Sequence, residues 1–226
     1  MSAGFVVAID GPAASGKSTT ARLVAERLGF LHLDTGAMYR AVTWKAIDGG
    51  ISLEDGRALT ELAARIQLDV IPAPQGGRVL VDGEDVTERI RDPAVSRAVS
   101  RVATHPGVRV ALVRRQREIG RGARMVLEGR DIGTVVFPNA DVKVYLEASL
   151  PERAERRQRE LRARGVEQTI DDLAGEIEQR DRLDSERSES PLRPAVDAIR
   201  LDTTGLSIEE QVARVVAIVR RALEGA

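Results

Sequence analysis

The feature that most constrains the fold lies near the N-terminus and fits the pattern G-x-x-x-x-G-K-[ST]: Gly11-Pro12-Ala13-Ala14-Ser15-Gly16-Lys17-Ser18. It follows the apolar run Phe5 to Ile9 and precedes a helical stretch, Thr19 to Leu28. Glycines at both ends let successive backbone N–H groups point toward a phosphate at the start of the helix. The segment therefore predicts a P-loop that binds a nucleoside triphosphate, with Lys17 on the β- and γ-phosphates and the Ser18 hydroxyl on Mg²⁺.

Composition limits the classes of protein to consider. A chain of 226 residues with 42% hydrophobic but only 3% aromatic residues suits one elaborated domain of parallel strands covered by helices. The formal charge of −1, with acidic and basic residues interspersed, argues against a general nucleic-acid or membrane-surface binder. The absence of cysteine excludes disulfides and thiolate chemistry. With no leader-like segment and no apolar run of membrane-spanning length, we expect a cytoplasmic protein, by default a monomer.

Short apolar runs alternate with helical patterns along much of the chain. The five runs are Phe5 to Ile9, Leu31 to Leu33, Met125 to Leu127, Val142 to Leu146 and Ala198 to Leu201. This alternation predicts an α/β fold with a doubly wound, five-stranded parallel sheet, flanking helices and ligands at the carboxyl ends of the strands. Capping-box spacings predict helix starts at Ser52…Asp55, Thr169…Asp172 and Ser207…Glu210.

Two segments depart from this rhythm. Between Gln67 and Val86 the sequence predicts a small antiparallel insert, with alternating runs at 68–71 and 78–81 and a third near 84–86. The insert is either a surface hairpin or a substrate-side subdomain. Helical spacing returns from Pro93 to Glu118. The Arg- and Glu-rich stretch Pro151 to Arg187, with Gly165 between two segments, predicts either a solvated helical pair or a lid whose arginines close over phosphates. We therefore divide one domain into a core (1–61, 104–149 and 196–226), an insert (about 62–103) and a lid region (about 150–195).

Charged side chains follow two further strands, at the same edge of the sheet as the P-loop. Asp34 to Arg40 follows the second strand, and Glu128-Gly129-Arg130-Asp131 follows the third. Arg40 and Arg130 could therefore hold one phosphate. Later, Arg180, Asp184 and Arg187 share one helix face, although a surface salt-bridge ladder explains that spacing equally well.

Together these motifs resemble the cytidylate kinase (CMP kinase) family of P-loop nucleoside monophosphate kinases, along essentially the whole chain. The resemblance is carried by Asp10-Gly11-Pro12, Asp34-Thr35-Gly36-Ala37-Met38-Tyr39-Arg40, Gly83-Glu84-Asp85-Val86-Thr87, Ile90-Arg91, Val108-Arg109, Arg114-Arg115-Gln116-Arg117, Gly129 to Pro138 and Arg180-Asp181-Arg182. The insert is similar to the enlarged monophosphate-binding region of that family. The family often has Ser where Thr35 stands, a modest departure.

The resemblance implies transfer of the γ-phosphoryl group of MgATP to CMP, and to dCMP, with ATP and Mg²⁺ as cofactors. It implies catalytic roles for Lys17, Arg130, Arg180 and Arg156. It implies ATP binding by the segment Gly11 to Thr19, with Arg153 and Arg157 of the lid, where Arg159 and Arg162 could substitute. It implies an acceptor-phosphate site of Arg40, Arg130 and Arg180, a ribose-side contact from Asp184 and Arg187, cytosine recognition by Ser100, Arg109 and Asp131, and further acceptor contacts from Thr35 and Tyr39.

Physical chemistry is consistent with this reading. Cytosine presents an exocyclic amino donor where uracil presents an acceptor, so the Asp131 carboxylate would favour cytosine. An acceptor phosphate with a second pKa of about 6 is already largely ionised at neutral pH and needs no general base, so we interpret His32 and His105 as structural.

Two alternatives remain to be weighed. A kinase for UMP, AMP or a metabolite hydroxyl could share this fold, with Asp34 or Asp131 as the base for a hydroxyl. A GTP-dependent switch would need a guanine-reading N-K-x-D segment, which the sequence lacks; its one D-x-x-G, at 202–205, precedes only the last helix.

Overall fold

The computed structural model describes residues 4–74, 77–187 and 189–225. The strands are β1 (Phe5–Asp10), β2 (Leu31–Asp34), β3 (Leu68–Ile71), β4 (Arg78–Val81), β5 (Glu84–Asp85), β6 (Arg124–Gly129), β7 (Val142–Glu147) and β8 (Ile199–Asp202). The α-helices are α1 (Lys17–Leu28), α2 (Thr35–Asp48), α3 (Gly56–Arg65), α4 (Pro93–Val102), α5 (Pro106–Gly120), α6 (Leu150–Arg162), α7 (Ile170–Ser185) and α8 (Ile208–Glu224). A 3₁₀ turn (Arg89–Arg91) precedes α4, and a π-helical turn (Ile132–Val136) follows β6.

The main sheet has five strands in the order β2-β6-β1-β7-β8, and every neighbouring pair is parallel. This confirms the predicted doubly wound sheet. Val7, Ala8 and Ile9 of the central strand β1 are fully buried, because helices cover both faces of the sheet. The carboxyl ends of β1, β2 and β6 carry Asp10, Asp34 and Gly129, so the motifs that follow these strands meet at one edge.

Helices α1 and α8 cover one face of the sheet through an aliphatic layer that includes Val24, Val215 and Val219. Helix α8 begins, as predicted, in a capping box in which the Ser207 hydroxyl accepts a hydrogen bond from the Glu210 N–H. The Glu210 carboxylate accepts one from the Ser207 N–H in return. The cap fixes where α8 starts, and hence which of its residues face the sheet.

The predicted antiparallel insert is also present, as a three-stranded sheet in the order β3-β4-β5. It packs with α2 to α5 around an apolar cluster that includes Trp44, Leu59, Ile90 and Leu112. In the predicted turn at 72–77, residues 75 and 76 lie outside the described residues.

Two helix boundaries differ from the sequence predictions. Helix α3 begins after Asp55, whose carboxylate accepts from the Ala58 N–H, and not at Ser52, whose hydroxyl only supports a local turn. The helical stretch predicted from Pro93 to Glu118 breaks between α4 and α5, because Pro106 lacks an N–H and restricts the residue before it to an extended conformation.

Helices α6 and α7 form a helical hairpin where the sequence predicted either a solvated pair or a lid, and Gly165, at φ +74°, lies in the connection between them. We call it the lid hairpin. Thr169 caps α7 through the Asp172 N–H, as predicted. The hairpin is more than a solvated pair, because its apolar cluster (Ala154, Leu161, Leu173 and Ile177) also takes in Ala13 of the P-loop. Across the described ranges, every helix is too short or too polar to cross a membrane.

Candidate active site

A cleft of about 800 Å³ opens at the carboxyl edge of the main sheet, between the P-loop, the insert and the lid hairpin. This volume lies in the range of small-molecule sites. Most of the residues proposed from the sequence line it: Ala13, Ala14, Gly16, Lys17, Ser18, Thr19, Thr35, Tyr39, Arg40, Ser100, Arg109, Arg130, Asp131, Arg156, Arg157, Arg180, Asp184 and Arg187. Gly11, Pro12 and Ser15 shape the loop without lining the cleft, and Arg153 also lies outside its lining.

The P-loop conformation explains its glycines. Gly16 has φ +88°, in the left-handed region, and a Cβ there would lie 2.9 Å from Gln211 Oε1. A Cβ on Gly11 would lie 2.3 Å from the Leu146 carbonyl oxygen, closer than any side chain tolerates. Helix α1 starts directly after Gly16 without a side-chain cap, so its first N–H groups are left for an anion.

Lys17 is buried at the base of the cleft, and its Nζ donates to the Pro12 carbonyl oxygen at 2.9 Å. Burial, together with the nearby Arg130 guanidinium, lowers the pKa of Lys17 to about 7. An anion beside Nζ would supply the missing countercharge. The lysine is therefore electrostatically suited to a phosphate ligand.

Ser18 lies beside a carboxylate that sequence reasoning did not include among the site residues. The Ser18 hydroxyl donates to Glu128 Oε2 at 2.5 Å, and Glu128 Oε1 lies 3.2 Å from His32 Nε2. A hydroxyl and a carboxylate are hard oxygen ligands of the kind that Mg²⁺ takes. The described ranges contain no group of three or more His, Asp or Glu side chains that could hold a metal ion. An ion beside Ser18 and Glu128 would therefore take most of its ligands from a nucleotide and water.

The signal for Glu128 was its place at the end of β6, beside the strand that leads into the P-loop. His32, interpreted from the sequence as structural, does have buried hydrogen-bonding geometry, but its partner belongs to the cleft. His105 contacts the Leu53 carbonyl oxygen, away from the cleft.

Three arginines face the middle of the cleft, and two of them contact carboxylates. Arg40 donates to Asp34 at 2.5 Å, and Arg130 donates to Asp184 at 2.8 Å. Among the described residues Arg180 forms no salt bridge, and its Nε has no hydrogen-bond partner. Burial, together with the Arg130 charge, lowers the pKa of Arg180 to about 10. A concentrated positive charge with unmet donors is a site for a phosphate.

The far end of the cleft is a buried polar pocket. Asp131 pairs with Arg109, and both side chains are at least 90% buried. Arg109 also lies over the Tyr39 ring, 5.6 Å from its centre, and burial raises the pKa of Tyr39 to about 12. Within the described residues, the Tyr39 hydroxyl, Arg109 Nε and Arg187 Nη2 are buried without hydrogen-bond partners. Unmet polar atoms of this kind indicate a pocket for a polar ring.

The segment around Arg187 corrects one sequence expectation. Helix α7 ends at Ser185, so Arg187 does not share a helix face with Arg180 and Asp184. All three nevertheless line the cleft, because the chain turns back after the helix and Arg187 Nε donates to the Asp184 carbonyl oxygen at 3.1 Å.

The lid arginines differ in their surroundings. Arg156 binds the Thr203 carbonyl oxygen at 2.6 Å and the Ser15 carbonyl oxygen at 3.2 Å, and Arg157 pairs with Glu160 at 2.8 Å. Arg159 also lines the cleft, whereas Arg162 pairs with Glu167 outside it. Arg91 of the insert lines the cleft as well, although the sequence analysis assigned it no role.

Comparisons with known proteins show what the chain is similar to. The family model described as cytidylate kinase matches residues 7–221. A cytidylate kinase from Geobacillus thermodenitrificans is 52% identical over 213 residues, which cover 94% of this chain and 95% of that protein. A bifunctional pantoate ligase/cytidylate kinase from a Synechococcus strain is 55% identical over 97% of this chain, which spans only 41% of that relative's length.

Among solved structures, a gluconokinase from Sinorhizobium meliloti has a TM-score of 0.50 and 16% identity, covering 98% of this chain and 94% of the other. At this identity the likeness concerns the fold alone. It agrees with the P-loop kinase architecture described above.

Proposed function

Because the chain belongs to the cytidylate kinase family, we propose that it transfers the γ-phosphoryl group of MgATP to CMP, and to dCMP, giving ADP and CDP or dCDP in pyrimidine nucleotide metabolism. The observation that carries the proposal is the order of groups along one cleft. A phosphate-binding loop lies at one end, the buried Asp131–Arg109 pair lies at the other, and arginines lie between them.

At the donor end, the segment Gly11 to Thr19 would bind the ATP phosphates through its N–H groups and Lys17. Ser18 and Glu128 would hold Mg²⁺ with the phosphates. The ion would neutralise phosphate charge that otherwise repels the acceptor. Arg156 and Arg157 of the lid lie close enough to the loop to support the donor phosphates.

In the middle of the cleft, Arg40, Arg130 and Arg180 would hold the acceptor phosphate. Their positive charge would bring two anions together, and Lys17 would stabilise the charge that develops between them. We propose the catalytic roles for Lys17, Arg130, Arg180 and Arg156 on this basis. Lid closure over the two nucleotides would keep water from competing as the acceptor.

At the acceptor end, Asp131 would accept the cytosine amino group, with Arg109 and Ser100 beside the base. Thr35, Tyr39, Asp184 and Arg187 would complete the acceptor pocket on its ribose side. The unmet buried donors on Arg109 and Arg187 favour a ring that presents acceptor atoms.

A hydroxyl acceptor is disfavoured by the state of Asp34, one of the two candidate bases. Although burial opposes ionisation, the Arg40 guanidinium and neighbouring His32 hold the pKa of Asp34 below its usual range. Its two oxygens are engaged by Arg40 and the Ala37 N–H. A carboxylate held in this way is a weak base, whereas an ionised phosphate acceptor needs none.

The division of the chain is also a proposal. We keep the insert at about 62–103, which contains the three antiparallel strands and α4. The core and the lid region (150–195) keep the bounds given above. We further propose a cytoplasmic monomer with no nucleic-acid or membrane partner. The near-zero net charge supports the absence of a nucleic-acid or membrane-surface partner.

A direct assay tests the proposal. Purified protein with MgATP is given CMP, dCMP, UMP, AMP or a hydroxyl metabolite, and the nucleotide products are separated by chromatography. We expect CDP and dCDP as the main products. Phosphorylation of AMP or a hydroxyl in preference to CMP, or no CDP at all, would overturn it.

A further inference from the structure

An ion pair of the lid hairpin, with side chains 10% and 19% exposed, binds the backbone N–H and carbonyl oxygen of Ala13 in the P-loop. We propose that Arg153 and Asp181 act as positioning residues that keep the P-loop and the acceptor-binding helix α7 in a fixed relation, and we call this group, with Ala13, the Ala13 clamp. The role in catalysis rests on the proposed function, whereas the contact itself does not.

Both backbone groups of Ala13 are bound by the pair. The Ala13 N–H donates to Asp181 Oδ1 at 3.0 Å, and the Ala13 carbonyl oxygen accepts from Arg153 Nη1 at 3.1 Å. The same Nη1 also contacts Asp181 Oδ2. A residue held at its donor and its acceptor by one ion pair cannot turn about its backbone without breaking both bonds.

The surroundings favour a permanent contact. The Ala13 side chain packs in the apolar cluster of the lid, with Ala154, Leu161 and Ile177 among its neighbours. Apolar surroundings exclude water and strengthen the hydrogen bonds to charged groups.

The contacts of Arg153 lie outside the cleft. Its side chain is only 10% exposed, its Nε donates to the Ala148 carbonyl oxygen at 3.1 Å, and it does not line the cleft. Turning it toward ATP would leave Asp181 and the Ala13 carbonyl without their partner, which is costly for buried groups. The structure therefore favours the clamp over the ATP-phosphate contact that the resemblance implied for this residue.

Helix α7 extends the connection to the acceptor side. Three residues after Asp181, Asp184 accepts from Arg130, and Arg180 lines the cleft just before Asp181. One helical turn thus contacts the P-loop through Asp181 and the acceptor arginine through Asp184. Because phosphoryl transfer needs the two phosphates aligned, a shift of about 1 Å in this turn can reduce the rate about 100-fold.

The test is the double variant Arg153→Met/Asp181→Leu, which removes both charges together and so leaves neither buried and unpaired. We expect kcat for CDP formation to fall at least tenfold, with KM for ATP within about threefold of wild type. The control is Arg57→Met/Glu61→Leu, the same change at an exposed pair 3.1 Å apart on α3 and outside the cleft, which should leave kcat unchanged.

Amide hydrogen exchange measured by NMR supplies a readout that needs no CMP. We expect the Ala13 amide to exchange at least tenfold faster in the double variant than in wild type or control, with α1 amides unchanged. Wild-type protein that makes no CDP would refute the proposed function, whereas this exchange result would still report on the clamp.

Three results for the folded double variant would overturn the proposal. They are a wild-type kcat, an unchanged rate of Ala13 amide exchange, or a raised KM for ATP at unchanged kcat. The last would identify Arg153 as a phosphate ligand. If the double variant fails to fold, the single variant Arg153→Lys tests the clamp instead. It keeps the charge but cannot bind Ala148, Ala13 and Asp181 together. We expect kcat to fall at least threefold at unchanged KM for ATP, and wild-type kcat would refute the clamp.

Discussion

Replacing Asp131 by Asn should weaken the distinction between CMP and UMP. In the proposed acceptor pocket the carboxylate is an acceptor only, so it would accept from the amino group of cytosine and repel the carbonyl oxygen of uracil. Asn has the same size, but it lacks the charge and adds an N–H₂ donor that suits uracil.

The magnitude follows from the burial of the site. Asp131 is 5% exposed, so water cannot replace a lost partner. A buried polar mismatch costs about 1–3 kcal/mol, which corresponds to about a tenfold to hundredfold change in the ratio of kcat/KM for CMP to that for UMP. The ratio should fall by this factor, mainly through loss of CMP turnover.

The same substitution leaves Arg109 buried beside a neutral group, so some loss of stability is expected in addition. The matched control is Asp197→Asn. The Asp197 carboxylate also pairs with a buried cation, Lys143, at 2.8 Å, but it lies outside the cleft. Steady-state kinetics at saturating MgATP, on variants shown to be folded by circular dichroism, give the ratio. A CMP-to-UMP ratio within twofold of wild type in the Asp131 variant, or an equal change in the control, would refute the reasoning.

Three further outcomes are expected. Lys17→Ala should lower kcat at least 100-fold for every acceptor without changing the CMP-to-UMP ratio, as product assays can show. Gly11→Ala should abolish ATP binding measured by calorimetry, since its Cβ would lie 2.3 Å from a backbone oxygen of β7. Burial raises the pKa of Asp10 from 3.8 to about 6. The stability that protonated Asp10 contributes is therefore complete below pH 4 and is lost as the pH rises through 6. The loss is at most about 3 kcal/mol. The difference in urea-unfolding free energy between wild type and Asp10→Asn isolates this contribution and should fall over this pH range, and a constant difference would refute it.

Much of the fold could be predicted because local patterns and the sheet agree. The run Phe5 to Ile9 is apolar at every position because helices cover both faces of β1, and only Asp10 separates this run from the P-loop. Caps at Thr169 and Ser207 were readable because their hydrogen bonds close within three residues. Ser52 shows the limit, since Asp55 offers an equally good cap three residues later and packing decides between them.

The side-chain partners could not be read in this way. Arg153, Arg156 and Arg157 look equivalent in the sequence, yet only Arg153 turns toward Ala13, a contact that joins positions 140 residues apart. Glu128 and His32 come together only because β6 and β2 are neighbours in the sheet. Long-range contacts of this kind depend on strand order, and local spacing carries no information about it.

The three-residue interval between Asp181 and Asp184 makes α7 act as a molecular ruler. The two carboxylates lie about one helical turn apart. Asp181 contacts the P-loop, and Asp184 contacts Arg130 on the acceptor side. An insertion or deletion within this interval would rotate one carboxylate away from its partner by about 100° per residue. The connection around Gly165 does not set the spacing of these two contacts. We therefore expect insertions and deletions to be tolerated there but to impair the protein between the two carboxylates.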